Sequence, residues 1–257
     1  MAEILEAIFL GLVQGIVDPM PVSSSGHLVL IQHFFGIEQR LTLSVFLHFG
    51  NLLAIMLVFR RDIVEIFSFN SDYYLLIKYI VIGIMPAGAA GFFFKSFFDT
   101  VFGTTIIVGF TLLITGIVLF SSRWVGESGR SMGNMKLKDA LLVGFAQMLA
   151  LFPGLSRSGM TIVSGMFSGV ERRLAVKYSF LMSIPIVFAA TMLEAITIWQ
   201  RGVGDVTISM IIAGTLTAVI SGFGAIKLLQ HIVDRRRLFV FAYYCWALGM
   251  LILFLFI

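Results

Sequence analysis

Long apolar stretches separated by short polar segments dominate this chain. Six of them, at about 20 residues each, are long enough to cross the hydrocarbon core of a bilayer. The predicted spans are Leu41–Phe59, Tyr73–Phe94, Val101–Phe120, Leu174–Trp199, Val206–Leu229 and Leu238–Ile257. The pattern predicts an all-α polytopic membrane protein that forms a single integral membrane domain over residues 1–257.

Two further apolar segments are interrupted and are not predicted to span the membrane. In Ile4–Phe35 and in Lys138–Gly169, a break rich in proline, glycine and serine separates two apolar stretches. Backbone freed by such a break finds no water in lipid, so it must lie within protein or beside a wet cavity. We therefore predict two re-entrant helical hairpins.

The two interrupted segments are similar in sequence. EAIFLGLVQ (Glu6–Gln14) aligns with DALLVGFAQ (Asp139–Gln147), and VSSSG (Val22–Gly26) aligns with LSRSG (Leu155–Gly159). Each segment is followed by three predicted spans, and an odd number of spans inverts one half relative to the other. The sequence therefore predicts an inverted-topology repeat with halves at approximately 1–125 and 126–257.

Charged residues make up only 12% of the chain, and their distribution indicates its orientation. Most of the lysines and arginines fall in alternate loops, including Arg60, Arg61, Arg123 and Arg235–Arg237. By the positive-inside rule these loops are cytoplasmic and both termini face outward, in the plasma membrane. The basic clusters are interpreted as topology determinants rather than as nucleic-acid-binding patches. The first hairpin then enters from outside and the second from the cytoplasm, so that their tips meet.

The polar residues of the two breaks predict an anion-binding site. Serine is a favoured helix N-cap, so Ser23–Ser25 and Ser156–Ser158 are expected to begin the second helix of each hairpin. Both helix N-termini would then direct free N–H groups at one region. Arg157 lies there too, and a guanidinium at membrane depth is costly unless it is paired or functional. A phosphate group would satisfy it; the alternative is a structural pair with Asp18.

Three residues near the first break could carry out phosphoryl transfer beside Arg157. Ser24 could act as the nucleophile with His27 as its base, or His27 could activate a water molecule directly, with Asp18 close by. The alternatives are that the serines only cap helices and that His27 only forms helix–helix hydrogen bonds.

Three side chains with oxygen atoms could bind a metal ion. Gln14 and Asp18 share a helix face, and with Gln147 they could bind a divalent cation such as Mg²⁺. His48 and Asn51 are interpreted as packing groups of the first span. Neither a G-x-x-x-x-G-K-[ST] nor an H-E-x-x-H motif occurs, which argues against nucleotide-driven and zincin chemistry.

GLVQGIVDPMPVSSSGHL (Gly11–Leu28) and PGLSRSGMT (Pro153–Thr161) are the most distinctive stretches of the chain. They resemble, respectively, the E/Q-x-x-x-E motif running into PVSS-x-GH and the PG-x-SRSG-x-T motif of the BacA-type undecaprenyl-diphosphate phosphatases. LHFGNLLAIMLVFRRD (Leu47–Asp62) extends the similarity over essentially the whole chain.

This resemblance implies a membrane hydrolase that removes one phosphate from a polyprenyl diphosphate at the outer face and so recycles the lipid carrier for cell-wall glycan synthesis. It implies Ser24 as the nucleophile, His27 as its acid/base partner and Arg157 as a phosphate ligand, with Mg²⁺ or Ca²⁺ assisting. Asp18 replaces the usual glutamate and is, with Gln14, the candidate metal ligand. The predicted phosphate-binding set, which includes both helix N-termini, is Ser23, Ser25, Gly26, Ser156, Ser158, Gly159 and Thr161.

The alternative function is that of a transporter or flippase for an anionic lipid or solute, because inverted repeats with broken helices are also a transporter plan. Ser24 beside His27 favours the enzyme, since transport needs no nucleophile. The expected partners are the polyprenyl diphosphate lipid and the bilayer, with a homodimer as a further possibility and with no nucleic acid.

Overall fold

The computed structural model describes residues 2–36, 41–66, 71–94, 97, 105–126, 129–202 and 206–256. Within these ranges the chain forms helices and no β-strand; Arg130 and Val170 form an isolated backbone bridge. The eleven α-helices of the described ranges are α1 (Ala2–Val17), α2 (Ser24–Phe35), α3 (Leu41–Val58), α4 (Arg60–Ile66), α5 (Ser71–Phe93), α6 (Thr105–Ser121), α7 (Leu137–Leu149), α8 (Arg157–Phe167), α9 (Arg172–Arg201), α10 (Ile208–Asp234) and α11 (Val240–Phe256).

Several of these helices are long and apolar enough to cross a membrane. In the described part of the chain, four meet that condition individually, and α3 with α4 would form a fifth span although the two are bent by 76°. The predicted span Leu238–Ile257 corresponds to α11, which has 17 residues, and residues 101–104 of Val101–Phe120 lie outside the described residues. The four are Tyr73–Phe93, Thr105–Trp124, Arg172–Gln200 and Ile208–Asp234. An all-helical protein with several candidate spans is therefore confirmed.

The surface of the helical bundle is apolar. Trp199 is 90% exposed, Phe254 85% and Phe92 80%. Soluble monomers rarely expose large contiguous apolar patches, so these helix faces suit contact with lipid tails rather than with water.

Both interrupted segments form a helix, a turn and a second helix. Residues 18–23 connect α1 to α2, and residues 150–156 connect α7 to α8. The breaks fall at Pro19 and Pro21 in the first turn and at Pro153 in the second, because proline cannot donate a backbone hydrogen bond within a helix. Gly154 follows with φ = +90°, a conformation that favours glycine. The predicted helix–break–helix segments are confirmed.

The helices of the two halves pack reciprocally. α1 lies along α10, and α7 lies along α5. Glycines allow both crossings: Gly11 contacts Gly214, and Gly144 contacts Gly83, where an added Cβ at Gly144 would lie 2.7 Å from the carbonyl oxygen of Gly83. Small residues let membrane helices approach this closely. Because Gly11 and Gly144 are equivalent positions of the sequence repeat, the same residue makes the same kind of contact in both halves.

Replacement of Gly144 by valine is expected to destabilise the protein by about 1–3 kcal/mol, the usual cost of overpacking, because the obstructing atoms belong to backbone. Thermal unfolding in detergent measures the effect. Gly88→Val in α5 is the matched control, since an added Cβ there has no atom of the described structure within 4 Å. Equal unfolding midpoints for the two variants would contradict the expectation.

Candidate active site

The turns of the two hairpins contact each other. The Gly154 N–H group donates a hydrogen bond to the Ser25 hydroxyl at 2.8 Å, and the Ser158 hydroxyl donates to the Met20 carbonyl at 3.2 Å. A Cβ at Gly159 would lie 3.3 Å from the Pro21 side chain. The predicted contact between the hairpin tips is therefore confirmed.

Threonines of α6 support the second turn. Thr111 donates a hydrogen bond to the Pro153 carbonyl at 2.5 Å, and Thr115 donates to the Gly154 carbonyl at 3.0 Å. Thr115 also accepts a hydrogen bond from the Ser156 N–H group at 3.2 Å. The backbone groups released by the Pro–Gly break are thus paired within protein, which is the condition for a broken helix at membrane depth.

The two helix starts differ. Ser156 is the N-cap of α8 and accepts a hydrogen bond from the Gly159 N–H group at 3.2 Å, which confirms that predicted cap. Ser23, just before α2, has φ = 64°, which is uncommon for a residue other than glycine. Its hydroxyl lies 2.9 Å from that of Ser25, and Ser25 bonds the Gly154 N–H group of the other turn. Backbone strain of this kind is common at functional sites.

A cavity of about 170 Å³ lies between the turns. A water molecule occupies about 30 Å³ of liquid, so the cavity has room for a group of several heavy atoms, such as a phosphate. Both turns contribute polar groups to its wall, and these are Asp18, Ser23, Ser24, Ser25, Ser156 and Arg157.

Ser24 and Arg157 present unsatisfied donors to this cavity. Within the described ranges the Ser24 hydroxyl has no hydrogen-bond partner, and the Arg157 side chain has one, the Asp18 carboxylate at 3.4 Å. Charge-assisted N–H···O bonds are usually about 2.7–2.9 Å long. The alternative structural pair of Arg157 with Asp18 therefore exists, but it is long and leaves most of the guanidinium donors available to an anion.

His48 lies beside Asp18, which the sequence did not indicate. Its Nδ1 atom is 3.9 Å from the Asp18 carboxylate and 3.2 Å from the Gln14 side-chain nitrogen. Asn51 donates a hydrogen bond to the Gln14 carbonyl at 3.0 Å, which confirms its interpretation as a packing group. His48 also joins α3 to α1. The spacing of three residues between His48 and Asn51, which places both on one helix face, was the available signal.

His27 is held outside the cavity by two hydrogen bonds. Its Nδ1 atom lies 2.9 Å from the Ser23 carbonyl oxygen, which can only accept, so Nδ1 donates. Its Nε2 atom then accepts a hydrogen bond from the Tyr244 hydroxyl at 2.6 Å, and the two rings stack at 5.6 Å. No hydrogen bond joins His27 to Ser24 among the described residues. Tyr244 lies in α11, far along the chain, and no spacing in the sequence indicated it.

The other predicted phosphate-binding residues lie near the N-termini of α2 and α8 and do not line the cavity. Gly26 faces Leu112, whose side chain would lie 2.8 Å from an added Cβ. Thr161 donates a hydrogen bond to the Arg157 carbonyl at 2.8 Å and lies 2.6 Å from the Ser179 hydroxyl. With Ser158 and Gly159, which contact the first turn, these residues position the lining groups.

The predicted metal ligands do not form a preformed cage. No group of three or more His, Cys, Asp or Glu side chains that could hold a metal occurs in the part of the chain that the structure describes. Asp18 lines the cavity, whereas Gln14 lines a separate pocket. Gln147 is buried, and neither its amide oxygen nor its amide nitrogen has a hydrogen-bond partner among the described residues. Mg²⁺ is often bound by one or two carboxylates together with substrate phosphates, and the Asp18 carboxylate fits that mode.

Two helix–turn–helix segments whose polar turns meet at a cavity, embedded in an apolar helical bundle, define a protein of the multi-pass membrane class. The chain belongs to the BacA family: the family described as Bacitracin resistance protein BacA matches residues 7–251. The family resemblance of the two sequence motifs is thereby confirmed.

Three relatives match over nearly their full length. The undecaprenyl-diphosphatase of Halothermothrix orenii is 42% identical over 254 residues, covering 98% of each chain. That of Alkaliphilus metalliredigens is 38% identical over 266 residues, covering 96% of this chain and 97% of the relative. That of Methanobrevibacter smithii is 36% identical over 269 residues, covering 97% of this chain and 96% of the relative.

Proposed function

We propose that this protein hydrolyses a polyprenyl diphosphate of the undecaprenyl type to the monophosphate and inorganic phosphate, and so recycles the lipid carrier for cell-wall glycan synthesis. One observation carries the proposal: the unpartnered Ser24 hydroxyl and the Arg157 guanidinium line the same cavity. Membership of the BacA family and the undecaprenyl-diphosphatase names of its relatives support the substrate.

Arg157 is the proposed ligand of the phosphoryl oxygens. Phosphoryl transfer is catalysed mainly by positioning and by cationic stabilisation of the oxygens of the transferred group. Arg157 is also the first residue of α8, so the positive end of that helix dipole acts in the same direction. Asp18 orients the guanidinium from the other turn, at 3.4 Å.

Ser24 is the proposed nucleophile, which attacks the terminal phosphorus and releases the polyprenyl monophosphate; water then hydrolyses the phosphoserine. The other route has His27 activating a water molecule directly. Either route needs the Nε2 lone pair of His27 to accept a proton. In the structure this lone pair accepts a hydrogen bond from the Tyr244 hydroxyl. His27 must therefore release Tyr244 before it can take the proton of Ser24 or of water. Catalytic hydrogen bonds often tighten only in the complex with substrate.

An apolar cavity adjoins the polar one and suits the isoprenoid tail. It has a volume of about 390 Å³, and Phe152 lines both cavities. Its other walls come from α5, from the residues that follow α5 and from α7, among them Ala90, Phe94 and Met148. A polar cavity beside an apolar one suits an amphiphile with a diphosphate head and a hydrocarbon tail. A soluble phosphate ester would leave the apolar part unused.

The proposed membrane arrangement has six spans and two re-entrant hairpins in an inverted repeat, with halves at approximately 1–125 and 126–257. Both termini lie outside, and the site opens to the outer face of the plasma membrane. The reciprocal glycine crossings of Gly11 and Gly144 support the repeat, and the basic loops support the orientation. A homodimer stays a prediction.

The proposed cofactor is Mg²⁺ or Ca²⁺, which Asp18 would hold together with the diphosphate itself. When bound there, such a cation would neutralise charge on the phosphoryl oxygens.

The test is phosphate release from farnesyl and undecaprenyl diphosphate by the detergent-purified protein, with and without EDTA. We expect EDTA to abolish phosphate release and added Mg²⁺ or Ca²⁺ to restore it. A protein that releases no phosphate from any isoprenyl diphosphate, even with both cations supplied, would overturn the proposal. A lipid-flux assay would then test the transporter, which the unpartnered Ser24 does not favour.

Tyr244→Phe is expected to raise kcat by up to about tenfold and to leave KM within about twofold. The change removes the hydroxyl that occupies the Nε2 lone pair of His27, which must be free before His27 can accept a proton, and it keeps the stacked ring; a neutral hydrogen bond contributes about 0.5–1.5 kcal/mol. Steady-state kinetics measures both constants. Tyr243→Phe, at the adjacent exposed tyrosine, is the control and should behave as wild type. A fall in kcat, or equal changes in both variants, would contradict the competition of Tyr244 for the His27 lone pair.

A further inference from the structure

A groove separate from the cavity at Ser24 and Arg157 lies between α3, α4, α9 and α10. Two cavities, of about 400 and 360 Å³, lie along this groove and share Val58, Asp62 and Lys227. We call it the basic groove. Its charged wall consists of Arg60, Arg61, Asp62, Arg173, Lys177, Lys227 and Asp234.

The bend between α3 and α4 creates one side of this groove. The two helices meet at 76° around Phe59. Phe59 is buried, and its ring lies 5.9 Å from that of Phe180 in α9. Because this aromatic contact anchors the bend, α4 turns away from the line of α3 and carries Arg60 and Arg61 to the groove.

The two carboxylates of the groove are already paired. Asp62 accepts a hydrogen bond from Tyr73 at 2.9 Å and forms an ion pair with Lys177 at 2.5 Å. Asp234 binds Arg173 through both of its oxygens, at 2.8 and 3.0 Å. These acidic groups therefore do not neutralise the remaining cations.

Arg60, Arg61 and Lys227 form no salt bridge with any residue in the described ranges. The positive-inside rule requires cations on one side of the membrane, but it does not require them to line a concave surface with their charge uncompensated. Their placement in the groove therefore indicates an anionic ligand.

Apolar side chains adjoin these cations. Leu57 and Phe223 line the groove beside Arg60, Arg61 and Lys227, and both are among the exposed large hydrophobic residues of the bundle surface. Cations next to a lipid-facing apolar surface suit an amphiphile whose head is anionic. Basic pockets between membrane helices bind anionic lipid headgroups in this way.

We propose that the basic groove binds the headgroup phosphate of an anionic glycerophospholipid. Arg60, Arg61 and Lys227 bind the phosphate oxygens, and an acyl chain lies along Leu57 and Phe223. A free phosphate ion would use the same cations but would leave the apolar wall uncovered. This site is independent of the proposed hydrolysis, because it shares no residue with the cavity at Ser24 and Arg157.

Native mass spectrometry of the full-length protein in detergent tests the proposal, with phosphatidylglycerol and phosphatidylcholine of the same acyl chains as probes. The wild type is expected to bind phosphatidylglycerol more tightly. The double variant Arg61→Gln/Lys227→Gln is expected to lose about 25-fold in that affinity, at about fivefold for each cation, with phosphatidylcholine binding unchanged.

Two further variants separate a specific site from general charge. Lys136→Gln/Lys138→Gln removes the same charge from exposed positions that do not line the groove, and should bind as the wild type does. Arg61→Lys/Lys227→Arg keeps the charge and should keep most of the affinity. Phosphate release by all variants reports an intact fold, because neither Arg61 nor Lys227 touches the catalytic cavity.

Equal binding of the two lipids by the wild type would overturn the proposal, as would undiminished phosphatidylglycerol binding by Arg61→Gln/Lys227→Gln. Displacement of the lipid by inorganic phosphate at comparable concentration would show a site for a small anion and would overturn it too. If the double variant does not fold, Lys227→Gln alone, at an exposed position of α10, decides the question through its expected fivefold loss.

Discussion

Replacement of Arg157 by alanine is expected to lower phosphate release from undecaprenyl diphosphate by about 10³-fold or more, the usual effect of removing an arginine that stabilises a phosphoryl transition state. The guanidinium lines the cavity and has one long hydrogen bond, to Asp18, so most of its donors remain for the substrate. The loss should appear mainly in kcat, because the guanidinium stabilises charge that develops in the transition state.

Arg157→Lys refines this expectation. Lysine keeps the charge but lacks the planar fork that binds two oxygens at once, so a loss intermediate between wild type and alanine is expected. Arg123→Ala is a matched control, because Arg123 lies over the rings of Phe120 and Phe239 and does not line the cavity. Activity of Arg157→Ala within tenfold of wild type would remove this residue from the mechanism.

Replacement of Ser24 by alanine is the second large expected effect, again a loss of about 10³-fold or more if serine and arginine act as one unit. The Ser24 hydroxyl has no hydrogen-bond partner in the described structure, so its removal should leave the unfolding temperature unchanged. The same change at Ser164, whose hydroxyl bonds the Thr161 carbonyl away from the cavity, should leave activity unchanged.

The double variant Ser24→Ala/Arg157→Ala separates the possible roles of these residues. If they act on the same phosphoryl group, the double variant should be only slightly worse than the worse single variant. Strictly multiplicative losses would show that they act independently. An active Ser24→Ala protein would instead favour direct attack of water with His27 as the base, and a phosphoserine trapped in the wild type would exclude that route.

Features with a local cause were predictable from the sequence. Pro19, Pro21 and Pro153 lie at the two breaks, and Ser156 caps the helix that follows it, as serine does in many proteins. Pro86 and Pro185, in contrast, lie inside α5 and α9 and end neither helix. The contact between the two tips followed from the repeat, because inverted halves bring equivalent turns together.

Features with a cause distant in the chain were not predictable. Tyr244 reaches His27 from α11, and the α3–α4 bend arises where Phe59 packs on Phe180, with neither proline nor glycine at the bend. Motif membership was also an incomplete guide to position. Thr161 belongs to the second motif, yet its hydroxyl bonds the Arg157 carbonyl and lies beside Ser179, away from the cavity.

The reciprocal crossings impose an order on biosynthesis. α1 leaves the ribosome well before α10 (Ile208–Asp234), the helix against which it packs, because α2 to α9 lie between them in the chain. The first hairpin therefore lacks this neighbour until α10 has been inserted. Ser24 and Arg157 lie far apart in the sequence, so a chain that terminates before Arg157 cannot form the proposed site, and we expect such fragments to have no hydrolytic activity toward the carrier lipid.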